Sequence, residues 1–184
     1  MKNNKDNKRD NKKDNEEKLA DFGLIWKMGL GHSGKLIEGK NPIPKKTEIA
    51  TKYTWKNIKK MPKQHIVVNL DIDISTEMIG TIKYGHIPEE MEDHWFMYCD
   101  EDTIRYYRSW TGFCIYECKF IKSGYNYKLT ELTINRDPNQ YGEKNIDADI
   151  TLFMYLIVSE VGGNGYKIFE EYLKIIKESE NKKK

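Results

Sequence analysis

Four runs rich in aromatic and β-branched residues follow one another between residues 95 and 136: "WFMYC", "TIRYYRSW", "GFCIYECKFI" and "YNYKLTELTINR". Connections such as "DED" and "SG" are too short for the crossover that parallel strands need. Runs joined this way pair as antiparallel hairpins, and four in succession predict a meander. Upstream, "HIVVNLDIDI" alternates strictly. Val68, Leu70, Ile72 and Ile74 point one way and Asn69, Asp71 and Asp73 the other, as in a strand with one buried face. Downstream, "DADITLFMYLIVSEV" sets Ile150, Phe153, Met154 and Ile157 on one helical face, and Asp147 is placed to cap it. Gly162, Gly163 and Gly165 end that helix, and "YKIFEEYLKIIKESE" supplies a last amphipathic one. Strands grouped together and then helices indicate α+β: a mainly antiparallel meander sheet packed with C-terminal helices. Of the remaining segments, "MIGTIKYG" reads as a short strand, "HIPEEMEDH" as a polar loop, and "TWKNIKKMPK" as a short helix stopped by Pro62.

The chain of 184 residues suits one domain. Residues 1–18 hold no apolar side chain after Met1 and mix seven basic with five acidic groups. Such a segment cannot bury enough surface to offset the entropy of ordering it, so a disordered charged N-terminal tail is expected before a single domain over 19–184. Within that domain, Leu19, Phe22, Ile25 and Trp26 follow helical spacing before a run of glycines and prolines. With 31 Lys and Arg against 29 Asp and Glu, the whole chain carries only +2. No global basic field points to nucleic acid or to an anionic membrane. The longest apolar runs, "LFMYLIV" and "HIVV", fall far short of the ~20 residues that span a bilayer. Three cysteines in a chain of this length do not suggest a secreted disulfide scaffold, and a cytoplasmic location is expected.

The short motifs are mostly unproductive. "GLGHSGK" imitates a phosphate loop, but Leu36 follows Lys35 where Ser or Thr is required, and no apolar strand precedes it. Asp71 and Asp73 share a face without the glycine and terminal glutamate of a calcium loop, so a solvated strand face is expected and no metal site. Cys114 and Cys118 share a strand face with no turn between them, which does not suit zinc. A cysteine nucleophile paired with His94 is a weaker candidate.

The turn between the second and third of the four runs is different. On a regular strand Ile104, Tyr106 and Arg108 share one face, and an aliphatic residue with a tyrosine marks the core side. Arg108 then ends a buried row, where a guanidinium needs a partner. That partner is an internal carboxylate such as Asp100 or Asp102, or an anionic ligand such as phosphate. Ser109, Trp110, Thr111 and Gly112 add two hydroxyls, a large flat ring and a close backbone approach. An aromatic platform beside arginine and hydroxyls is what a nucleotide-like ligand needs. His94 precedes a strand, and Asn135 and Arg136 end another that can share its rim. Against this stands plain packing, with Trp110 capping the core.

The block "MPKQH…PEEMEDHWFMYCDEDTIRYYRSWTGFCIYECKF", followed by "LTINRDPNQY" and "DADITLFMYLI", resembles an uncharacterised bacterial domain of an RSWTG type. That domain is associated with stand-alone proteins and with fusions to ADP-ribosylglycohydrolase-like domains. The resemblance spans about residues 53 to 165 and is most specific at Arg108-Ser109-Trp110-Thr111-Gly112. It implies a role near ADP-ribose or NAD-derived molecules and transfers no catalytic residue. The expected function is binding of a small nucleotide-derived ligand, sensed or sequestered, at Arg108, Ser109, Trp110, Thr111, Asn135, Arg136 and His94. No cofactor, nucleic acid or membrane partner is called for. Two other readings stay open: an enzyme acting on a nucleotide-linked or ADP-ribosylated substrate, with His94 or Asp100 transferring a proton, and a protein-interaction module anchored by exposed aromatic residues.

Overall fold

The computed structural model describes residues 48–181. The expected tail over 1–18, the helix face over 19–28 and the "GLGHSGK" stretch lie outside the described residues. Within them the chain is α+β. Strands β1 (His65–Ile74), β2 (Trp95–Asp100), β3 (Thr103–Arg108), β4 (Cys114–Ser123) and β5 (Asn126–Asn135) form one antiparallel sheet in the order β1-β5-β4-β3-β2. The last four make the expected meander. The first strand joins at its far end beside β5, so residues 75–94 must cross from one sheet edge to the other.

Part of that crossing is helix α1 (Thr76–Ile82), where the sequence suggested a strand. Ser75 caps it, its Oγ accepting from the Met78 amide at 3.2 Å, and Glu77 sits in the first turn. Met78, Ile79 and Ile82 then fall on one buried side, which a period-2 reading of "MIGTIKYG" could not satisfy. Helix α2 (Ile146–Glu160) crosses the same face of the sheet, and α3 (Tyr166–Asn181) packs on α2. Enclosed between sheet and α3, α2 is buried almost all round rather than on one stripe. Its N-cap is Asn145 and not Asp147: the Asn145 Oδ1 accepts from the amides of Asp147 and Ala148 at 2.9 and 3.3 Å. The Asn145 Nδ2 donates to Ser179 Oγ at 2.6 Å, tying the start of α2 to the end of α3. No helix among the described residues is long and apolar enough to cross a membrane.

The β1 alternation is realised: Leu70, Ile72 and Ile74 are buried, and Asn69, Asp71 and Asp73 are exposed. Strand β3 departs from the one-faced expectation, because Ile104 and Tyr106 enter the helix-side core while Tyr107 is buried on the opposite side. There a second core forms from Ala50, Phe96, Tyr98, Tyr107 and Cys114, closed by Trp55, Ile58, Met61 and Ile87. Its cover is a strap over residues 50–61, the segment in which a short helix was expected. The strap is instead a series of turns, with Asn57 at φ 64. A helix would withdraw Trp55 from its stacked contact with Phe96, ring centroids 5.8 Å apart.

Three bonds clasp the strap to the molecule. The Ala50 amide donates to Tyr84 O, the Lys59 amide to Gly112 O, and the Trp55 indole to Ser109 O, each at 2.8 Å. Gly112, at φ 69, meets the strap so closely that a Cβ there would lie 2.1 Å from Asn57 O. Gly124, at φ 61 in the β4–β5 turn, has open space around it. Gly124→Ala is therefore expected to cost about 1–2 kcal/mol, the left-handed penalty alone. Gly112→Ala should cost at least about 2 kcal/mol more, because backbone must also move. Urea titration of both variants measures the difference.

Candidate functional site

At one rim of the sheet, Trp95 of β2 stands directly across from Arg108 of β3. Paired residues share a face, here the helix side. The Arg108 guanidinium carbon lies 4.1 Å from the centroid of the Trp95 ring. Trp95 in turn stacks on Tyr116, centroids 5.8 Å apart and planes at 20°, and meets Tyr106 edge-on.

Behind this row sits a polar cluster at the start of α2. The Asp149 side chain is fully buried. Its Oδ1 accepts from the Tyr116 hydroxyl at 2.9 Å and the Tyr141 hydroxyl at 2.6 Å, and its Oδ2 from Arg136 at 2.6 Å. Burial pushes the Asp149 carboxyl up from its ordinary value of 3.8, against the opposing pull of the tyrosines and Arg136. Burial likewise raises Tyr116 and Tyr141, so both phenols stay protonated and serve as donors. Arg108 lies close enough to Tyr141 and Tyr172 for its charge to be felt by both.

The two arginines of β3 have separate fates. Arg105 takes the internal carboxylates, with Glu117 at 3.2 Å and Asp100 at 3.6 Å, on the face opposite the helices. Arg108 has no carboxylate within 4.0 Å among the described residues. The expected pairing of Arg108 with Asp100 is thus made by its neighbour. Trp110 does not cap the core: it is 69% exposed and touches the His94 ring edge-on, centroids 5.6 Å apart. Thr111 is exposed beside it, its Oγ1 facing the Phe113 amide at 3.4 Å.

The other expected ligand residues are engaged internally. Ser109 is buried and donates its hydroxyl to Asp93 O at 2.7 Å. Asn135 is buried, donating to Cys114 O at 2.7 Å and Gln140 Oε1 at 3.0 Å while accepting from the Asp137 amide at 2.8 Å. Arg136 is held by Asp149 and by the carbonyls of Asn135 and Glu143. Both share the rim with Arg108 but build its frame. Trp95, Tyr116, Tyr141 and Asp149 are not among the ligand residues expected from the sequence. The register across the "DED" turn points to Trp95; for Tyr141 and Asp149 no local signal exists.

His94 and Asp100 flank opposite ends of β2, roughly 20 Å apart at ~3.4 Å per residue, so they do not form a pair. The carboxylate–imidazole contact lies elsewhere, with His86 Nδ1 3.2 Å from Glu160 and Nε2 4.0 Å from Asp93. Desolvation raises the Cys99 thiol to about 11 and the buried Cys114 and Cys118 further, which leaves no ready thiolate. Asp71 and Asp73 flank Lys128, and no group of three metal-ligating side chains occurs among the described residues. No family model, curated protein or solved structure matches the chain.

Removing the carboxylate should strand three donors. Asp149→Ala is expected to destabilise the protein by about 3–5 kcal/mol in chemical denaturation. The folded chain binds the Asp149 proton more tightly than the unfolded chain, since its pKa is raised above 3.8. That group's stabilising contribution is fully present below 3.8 and declines as pH rises through the folded-state value. The margin of the wild type over Asp149→Asn should accordingly narrow with rising pH across that window, as followed by urea melts.

Proposed function

We propose that the protein binds a small nucleotide-derived ligand, of the ADP-ribose or NAD-related kind, at the β2–β3 rim, and so senses or sequesters it. The carrying observation is Arg108: a guanidinium set over Trp95 with no carboxylate partner among the described residues, two positions before the exposed indole of Trp110. Arg108 takes a phosphate through its planar donor fork. Trp110 stacks on the base, and His94 and Thr111 complete the edge. Asn135, Arg136 and Ser109 keep the rim in shape and do not touch the ligand. The resemblance of the Arg108–Gly112 stretch to a domain associated with ADP-ribosylglycohydrolase-like fusions supports the choice of ligand class. The enzyme reading draws less support, because Asp100 faces Arg105 and burial keeps the thiols protonated.

Isothermal titration calorimetry with ADP-ribose, NAD and AMP tests the reading. Heat is expected with at least one of them. Arg108→Gln should weaken it about 10- to 150-fold, the worth of a charge-assisted hydrogen bond. No heat at protein concentrations near a millimolar, or equal affinity in Arg108→Gln, would refute it.

A further inference from the structure

The strap over the second core carries an uneven charge. Between Thr51 and Leu70 the chain holds five lysines, at 52, 56, 59, 60 and 63, and no Asp or Glu. All five are exposed, and none forms an ion pair among the described residues. Three of the described lysines outside the strap have acidic partners. Lys128 sits between Asp71 and Asp73, Lys119 faces Glu131 at 3.3 Å, and Lys174 faces Glu171 at 3.5 Å. Five like charges on one short segment repel one another in the folded state, and no carboxylate among the described residues pairs with them.

Two exposed aromatic rings accompany them. Tyr53, on the strap, is 83% exposed with the Lys52 ammonium 5.2 Å from its ring. Trp110 stands on the turn that the strap clasps through Lys59, Gly112, Trp55 and Ser109. The Lys59 ammonium lies 4.4 Å from the Phe113 ring of that same turn. The strap therefore carries a cation beside an open ring at Tyr53, and its clasp sets Lys59 against the turn that bears the exposed Trp110. Phosphates supply the counter-charge that the lysines lack, and unpaired bases supply the flat faces that the rings accept.

We propose that the strap and the Trp110 turn form a docking surface for single-stranded nucleic acid. The phosphate backbone runs over Lys56, Lys59 and Lys60, and bases stack on Trp110 and Tyr53. A duplex keeps its bases stacked inside and offers the rings nothing. An anionic membrane is disfavoured by the acidic loop of Glu89, Glu90, Glu92 and Asp93, pinned against the same turn by Ser109. A flat anionic sheet would be forced onto those carboxylates, whereas a flexible strand passes to one side of them. The inference shares Trp110 with the proposed ligand site but rests on the lysines, not on Arg108.

Fluorescence anisotropy of the full chain with labelled oligothymidylate of about 15 nucleotides tests it, that length matching the upper site size of single-strand binders. Binding is expected at low salt. Engaging three to five phosphates gives a slope of log affinity against log salt of about −2 to −3.5. The variant Lys56→Ala/Lys59→Ala/Lys60→Ala should bind at least about 10-fold more weakly, and Trp110→Ala about 5- to 150-fold. Lys122→Ala should match the wild type. Arg108→Gln should retain most oligonucleotide binding, and the triple variant should keep any heat with ADP-ribose, so each site can fail without the other. Single Lys60→Glu gives a second readout with one exposed change. No anisotropy rise at tens of micromolar protein would overturn the proposal. So would a triple variant that binds like the wild type. Tighter binding to phosphatidylserine vesicles, with Trp110→Ala inert, would do the same and identify the surface as a membrane contact.

Discussion

The Asp149 carboxylate joins parts of the chain that hydrophobic packing alone would leave free to slide. One oxygen holds Tyr116 of β4 and Tyr141 of the β5–α2 connection, and the other holds Arg136 at the end of β5. The start of α2 is thereby fixed in both position and rotation over the sheet rim. Four polar groups that would be costly to bury singly satisfy one another as a closed network. The stacked row above it depends on this: Tyr116 is held by its hydroxyl, Trp95 lies on Tyr116, and Arg108 lies on Trp95. Displacing the carboxylate would loosen the surface on which Arg108 rests.

The same network shows which strand-end polar groups are spent. Asn135 and Arg136 look in the sequence like residues offered to a ligand, because both end a strand at a rim. Their hydrogen bonds instead close the irregular 136–145 segment, which carries backbone groups that no strand or helix can satisfy. Arg108 differs because Asp100 and Glu117 lie on the far face of β3, where Arg105 takes them, and Asp149 is taken by Arg136 and the two tyrosines. Alternation along a strand separates neighbours more effectively than sequence distance suggests.

Much of the architecture was legible in order and spacing. The alternation of β1, the hairpin connections of β2 to β5, and the glycine break between two helices each rest on local chemistry. What was not legible depended on contacts between distant segments. The 54–63 stretch has helix-like lysine spacing, yet Trp55 and Ile58 are claimed by a core on the second face of β3 that no local period announces. The "MIGTIKYG" segment contains a β-branched pair and glycines, and its helix is explained only by the Ser75 cap together with the core that takes Met78, Ile79 and Ile82. Asn145 and Asp147 are both competent caps, and the link to Ser179 on α3 favours the first. The +2 total concealed the strap's five lysines, because the acids that balance them lie elsewhere in the sequence.

The turn carrying Trp110 is firmly built. Arg108 and Phe113 bond across its base, the Gly112 amide returns to Arg108 O, and the Ser109 amide and hydroxyl are taken by His94 and Asp93. The strap then occupies the carbonyls of Ser109 and Gly112. A turn with so many of its groups satisfied has little need of an aromatic side chain, and an exposed indole gains no burial there. The rigidity has a different value: a ring on a fixed backbone loses little freedom when something stacks on it. Lys59 shares the fixed backbone, because its own amide is part of the clasp. Arg108 and Trp110 leave the end of β3 in different settings, the guanidinium lying over Trp95 and the indole standing in the solvent against His94.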